Sequence, residues 1–361
     1  MDQNDFEQQY TFNRGTYYST PRWNDFTLDD ERRAKKRFSR FFLATSIYLI
    51  VSYVAAFAVN MVLALILGED ALGIFESSWY ALVLNTISMY VIALPIMYFI
   101  IRGMRSTIRA KSSLRFSELF KIFLVAEAFM TVGAFIGNYL NMLVGAFIGK
   151  APSNSTSDMI LASDMWLVIL VAVVIGPIVE ELIFRKFLMD KLGMYGDRLA
   201  IFVSAISFGI FHGNLYQFFY AAMLGFILAY LYSKTSNIWY PIGLHMIINF
   251  IGSVIPMLLM DKMERFEELS EIVLGGTEIS DEIMAEFSQL SMVVGTYSLL
   301  NMAMTVAGLV IFFRHRRRIF VSDRCEILIP KERRANVIFA NAGVITFLVI
   351  SAALMVLNLF S

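Results

Sequence analysis

Residues 165–189 read MWLVILVAVVIGPIVEELIFRKFLM, and this stretch decides the fold. Its length and apolar character suit a membrane-spanning helix, which needs about 20 mostly apolar residues. Yet it contains Glu180, Glu181 and Arg185. Ionisable groups inside hydrocarbon are costly, so those present need a partner or a task.

Working outward, comparable apolar runs predict further helices at about 41–67, 79–101, 119–148, 198–212, 215–232, 237–259, 292–313 and 337–360. The runs at 198–212 and 215–232 are short and separated by a polar turn at Gly213 and Asn214. They could form one tight hairpin that reaches the two surfaces unequally. Composition agrees with these spans: the 361 residues are 58% hydrophobic before glycine is counted and only 17% charged, against about 25% charged in soluble domains. The expectation is an all-α polytopic membrane protein of eight or nine transmembrane helices, with any site in its core helices. Thirty basic residues balance thirty acidic ones, which argues against nucleic acid as a partner. The only cysteine, Cys325, excludes an internal disulfide and a Cys-ligated metal site.

Charge then orients the spans. Arg32, Arg33, Lys35, Lys36, Arg37 and Arg40 precede the first span, and the next loop offers Glu69, Asp70 and Glu76 with no basic residue. Basic clusters return at 102–115 and 314–318, while residues 261–290 carry nine acids against Lys262 and Arg265. By the positive-inside rule the N-terminus is cytoplasmic. Residues 1–40 read as a polar cytoplasmic tail, 41–148 as N-terminal transmembrane helices, 165–255 as the core, and 256–361 as an acidic outer loop followed by C-terminal helices. The first apolar run is too long for a signal-peptide core, so no cleavable leader is expected. Within the acidic loop, Met263, Phe266, Leu269, Ile272 and Val273 recur at helical spacing, as for a segment lying on the outer membrane face. The pentapeptide Gly-Ala-Phe-Ile-Gly occurs from Gly133 and again from Gly145, offering close helix packing.

Besides the two acids and Arg185, the spans place His212 at the end of the fifth helix and His245 with Asn249 in the seventh. Glu181 and Arg185 stand one turn apart on one face and can pair. Glu180 is turned about 100° away and has no such partner. His245 and Asn249 also share a face, so the amide can orient the imidazole or join it in holding a substrate group. At 1.5 Å rise per residue, Glu180 lies roughly 12 to 15 Å from the cytoplasmic end of its helix, His245 roughly 12 Å and His212 roughly 20 Å. The three can meet. Gly176 and Pro177 precede the acids, where a kink opens a polar pocket or simply serves packing.

These residues resemble the CPBP intramembrane proteases, a family that includes the type II CAAX prenyl endopeptidases and bacteriocin-processing and immunity relatives. Its Glu-Glu-x-x-x-Arg pattern is met by Glu180, Glu181 and Arg185, its Phe-x-x-x-His pattern by Phe208 and His212, and its His-x-x-x-Asn pattern by His245 and Asn249. The resemblance implies an intramembrane endopeptidase that cleaves a membrane-associated peptide or protein within the bilayer, and the compact form without targeting signals points to a bacterial cell membrane. It further implies that Glu180 and His212 activate a water and that His245 and Asn249 form an oxyanion site. Zinc held by Glu180, His212 and His245 stays open beside a metal-free mechanism, which leaves fewer groups unassigned. Two other functions fit intramembrane acids: a non-catalytic immunity or regulatory binding protein, and a proton-coupled transporter. Nothing in the sequence fixes the substrate or the oligomeric state.

Overall fold

Every regular element among the described residues is helical. The computed structural model describes residues 26–107, 110–149, 155–275, 280–316 and 325–360. Nine long helices form the bundle: α1 Leu28–Leu67, α2 Tyr80–Ile101, α3 Phe116–Ile148, α4 Met165–Tyr195, α5 Asp197–Phe211, α6 Leu215–Thr235, α7 Trp239–Leu274, α8 Asp281–His315 and α9 Ala342–Phe360. Eight are long and apolar enough to cross a membrane. The exception is α5, whose 15 residues span only about 22 Å. This is a polytopic all-α membrane protein.

The first helix begins at Leu28, well before the apolar run at 41. Thr27 and Asp30 close a capping box, each side chain accepting from the other's backbone N–H at 3.1 Å. This start escapes hydropathy because its first three turns are charged outside and apolar only on the face holding the buried Ala34 and Phe38. Residues 1–25 lie outside the described residues.

The basic loops gather at one end of the bundle. Arg37 donates to the Lys191 carbonyl at 2.6 Å, Arg40 to Ile100 at 2.9 Å, and Ser112 N–H to Thr235 at 2.8 Å. Arg105 pairs with Glu326 at 3.0 Å. Thus the N-terminal end of α1 and the loops after α2, α4, α6 and α8 share a face, as their charges predict.

At the other end the acidic segment does not lie along a membrane surface. It continues α7 without interruption, and the 36 residues of that helix reach about 54 Å, well past a hydrocarbon core of about 30 Å. Of the apolar residues expected to meet lipid, Phe266 packs on α8 instead, stacking on Phe287 at 5.5 Å, and Leu269 is buried, while Met263 and Ile272 stay exposed. Arg265 grips both oxygens of Glu286 at 2.9 Å. The segment is therefore half of a helical hairpin with α8.

Only the first Gly-Ala-Phe-Ile-Gly copy packs as expected. A β-carbon at Gly133 would come within 2.6 Å of the Tyr220 backbone, and one at Gly137 within 2.8 Å of the Tyr216 carbonyl, so α3 and α6 meet backbone to backbone. The second copy runs out at Gly149, whose φ of 71° ends α3.

Candidate active site

The brevity of α5 puts a polar turn inside the bundle. It ends at Phe211, Gly213 reverses the chain at φ 60°, and Asn214 caps α6 by accepting from Gln217 N–H at 3.3 Å. The Gly213 carbonyl would otherwise face hydrocarbon, and Asn358 of α9 donates to it at 2.8 Å. His212 is consequently delivered to the membrane interior at a helix end.

Opposite it, α4 carries the acids on a short α-helical piece, Gly176–Glu181, set between two wider π-type stretches, Ile169–Ile175 and Leu182–Met189. Pro177 has no N–H to give, and the carbonyl five residues back, Ala172, is left to Asn249, which donates to it at 2.8 Å. Asn249 itself begins a further π-type stretch, being followed by Phe250–Val254. Such widened turns recur at functional sites because they rotate the flanking side chains out of helical register.

The two acids part as their spacing predicts. Glu181 is fully buried (0% exposed), with one oxygen 2.9 Å from Arg185 Nε, also 0% exposed, and the other 3.1 Å from His245 Nδ1. Arg185 donates to Ser204 on α5 at 3.1 Å and lies over the Phe208 ring at 4.9 Å. Glu180 is 19% exposed, faces a cavity of about 360 Å³, and approaches His245 Nε2 at 3.7 Å. His212, His245 and Asn249 line the same cavity. Phe208 sits among them, edge-on to His212 at 4.9 Å and to His245 at 5.7 Å. All six candidate residues therefore converge, four on the cavity and two behind it.

Two details correct the sequence reading. Asn249 uses its amide on α4 and not on His245, leaving one N–H of the two for a ligand. Glu181, expected to pair with Arg185, also orients His245. That arrangement, with His212 Nδ1 held by the Phe208 carbonyl at 2.8 Å, turns both Nε2 atoms free. Histidine ligands of metals are oriented in this way. Even so, among the described residues no three His, Cys, Asp or Glu side chains are gathered closely enough to hold a metal ion. The reaction derived for the site therefore uses its own side chains, with zinc on Glu180, His212 and His245 left to a measurement of metal content.

Sequence reasoning missed the hydroxyl-bearing wall. Ser88 and Tyr90 line the cavity from α2, on its own π-type stretch Ile87–Ala93, and Tyr220 lines it from α6. An isolated tyrosine in an apolar run reads as packing, and no periodicity reveals a widened turn. Glu127 on α3, a further acid within a span, was also passed over; it is half-buried and lies outside the cavity.

Comparison with known proteins falls on this same segment. Residues 162–251 match the family model described as Type II CAAX prenyl endopeptidase Rce1-like. Over these residues the chain is similar to that family. The Rce1-like match encloses the three motifs from Glu180 to Asn249, so the resemblance read from them is borne out there. The protein named Putative membrane peptidase YdiL, from Bacillus subtilis (strain 168), is 29% identical over 134 residues, covering 36% of this chain and 54% of that protein. UPF0177 protein YbdJ of Lactococcus lactis subsp. lactis (strain IL1403) is 39% identical over 90 residues, covering 24% of this chain and 38% of that protein. The chain thus spans about half of the first relative and less of the second. No solved structure matches it.

Proposed function

We propose that the protein is an intramembrane endopeptidase that hydrolyses a membrane-associated peptide or protein with a water activated by Glu180. The observation that carries this reading is the division between the paired acids: one sealed against Arg185 and His245, the other open to a polar cavity at membrane depth. The Rce1-like core and a relative named as a membrane peptidase support it.

In this mechanism a water gives one hydrogen bond to Glu180 and the other to His212 Nε2, the nitrogen left free by the Phe208 carbonyl. Glu180 takes the proton as the oxygen attacks the scissile carbonyl carbon. Charge develops on the carbonyl oxygen, where the remaining N–H of Asn249 and a protonated His245 Nε2 donate. His245 needs the imidazolium form for this, since its Nδ1 proton is already given to Glu181. Glu180 then returns its proton to the amide nitrogen as the C–N bond breaks. The test compares peptide termini in membranes of cells carrying wild type or Glu180→Gln. Termini that vanish in the variant support hydrolysis; identical sets would assign the site to binding.

Metal content is decided separately. Purified active protein is expected to contain well under one zinc per chain and to keep its activity through prolonged chelation. One zinc per chain, with activity lost on removal and restored on addition, would overturn the metal-free reaction and leave the site residues standing.

We further propose that the basic end of the bundle is cytoplasmic and the membrane a bacterial one. Cys325, at the basic end, should then resist an impermeant thiol reagent in intact cells, while a cysteine replacing the exposed Glu282 of the acidic hairpin is labelled. Labelling of Cys325 from outside would invert the orientation.

A further inference from the structure

A second cavity, of about 480 Å³, opens at the basic end of the bundle where α2, α4 and α6 finish. Asp190, in its wall, is ten residues beyond Glu180, or about 15 Å along α4. Four cations line it, Arg102, Lys111, Lys186 and Lys191, against that single carboxylate. Asp190 is already engaged: Lys186 Nζ is 2.6 Å from one oxygen, and the Tyr232 hydroxyl donates to the other at 2.8 Å. Arg102, Lys111 and Lys191 remain in excess.

Lys191 is an unusual member of this set. It is 7% exposed, and its ammonium donates to the Met104 carbonyl at 3.0 Å and the Ser106 hydroxyl at 3.3 Å, neither of which carries charge. A buried ammonium is stable only when paired and hydrogen-bonded, and it has a third proton to give. Independently, the hydroxyls of Thr107 and Ser236 are buried in the same wall with no hydrogen-bond partner among the described residues. Ser236 adopts φ 51°, the one positive value at a non-glycine position among the described residues. Glycine would take that conformation more easily, but glycine would bring no hydroxyl.

Surplus cations with unpartnered hydroxyl donors and no free acid make an oxyanion site, and clustered lysine and arginine with hydroxyls are the chemistry of phosphate recognition. One rim is apolar and half-exposed, formed by Tyr98 with Phe187 at 5.7 Å, and it adjoins the span. We propose that this basin binds the phosphate of an anionic phospholipid at the membrane surface. Inorganic phosphate shares the chemistry. The site is distinct from the cavity at Glu180, and the proposal does not depend on the peptidase reading. It also gives part of the basic loop cluster a role beyond setting topology.

The experiment uses the full chain in a neutral detergent, titrated with short-chain phosphatidylglycerol, short-chain phosphatidylcholine and inorganic phosphate, with binding read by calorimetry. Arg102 and Lys111 are exposed, so Arg102→Gln/Lys111→Gln removes two charges without disturbing the core. Saturable binding of phosphatidylglycerol, weakened about thirtyfold in that double variant, is the expected result. Ser236→Gly, which relaxes the backbone and removes only the hydroxyl, should weaken binding severalfold with no loss in the Tm of the free protein. Failure of inorganic phosphate to compete identifies the lipid as the ligand. Competition by phosphate at concentrations matching the lipid's would make free phosphate the occupant and overturn the lipid assignment. Equal binding of phosphatidylcholine, or unchanged binding of phosphatidylglycerol in both variants, would overturn the site.

Discussion

Glu180→Gln protein is expected to insert, purify and unfold like the wild type while its turnover falls about 10²–10⁴-fold, the usual contribution of a positioned general base. The substitution is nearly isosteric and removes only the ability to take a proton. Its neighbours tolerate it: the ion-pair contact of the Glu180 carboxylate among the described residues is His245 Nε2 at 3.7 Å, too long for a hydrogen bond that stability depends on. The residue is also partly open to the cavity, so an amide there is not stranded. Tm in the same detergent and the rate of substrate cleavage measure the two halves of this expectation. A variant that kept its full rate would remove Glu180 from the chemistry.

Glu181→Gln should behave in the opposite sense, losing stability first. Glu181 and Arg185 are both 0% exposed, and neutralising Glu181 leaves the guanidinium buried without its ion-pair partner, beside Ser204 and the Phe208 face. Breaking a buried pair in this way costs about 3–5 kcal/mol. The amide oxygen can still accept from His245 Nδ1, so the imidazole keeps a partner and part of the activity survives at low temperature. The expected signature is a large fall in Tm with a smaller fall in rate, reversed relative to Glu180→Gln. Equal rate losses at equal Tm would show that the acids do not divide the work.

Much of the site was legible because helical spacing is rigid. A one-turn separation suffices to pair Glu181 with Arg185, and a 100° offset suffices to set Glu180 apart, whatever the rest of the chain does. That Glu180, His212 and His245 could meet followed from rise per residue once hydropathy had set the spans and loop charge their orientation. What spacing could not show lies where the helices depart from 3.6 residues per turn. The π-type stretch in α2 that brings Ser88 and Tyr90 to the cavity leaves no trace in an apolar sequence. The donation from Asn249 to Ala172 depends on a carbonyl freed by Pro177 in another helix, which no pattern within α7 announces. In the fold, hydropathy found the spans but misjudged their ends. At Leu28 a charged first turn hides the helix start, and beyond Asp261 Phe266 stacks on α8 where lipid contact was expected.

The bond from Asn249 to the Ala172 carbonyl also bears on how the bundle can move. Sliding α4 past α7 would break that hydrogen bond and pull Glu181 from His245 in the same motion. The two helices are stitched at both levels and behave as one stiff leaf. The spacing between the Glu180 carboxylate and the His245 ring is thus set within that pair of helices, independent of the other helices that wall the cavity.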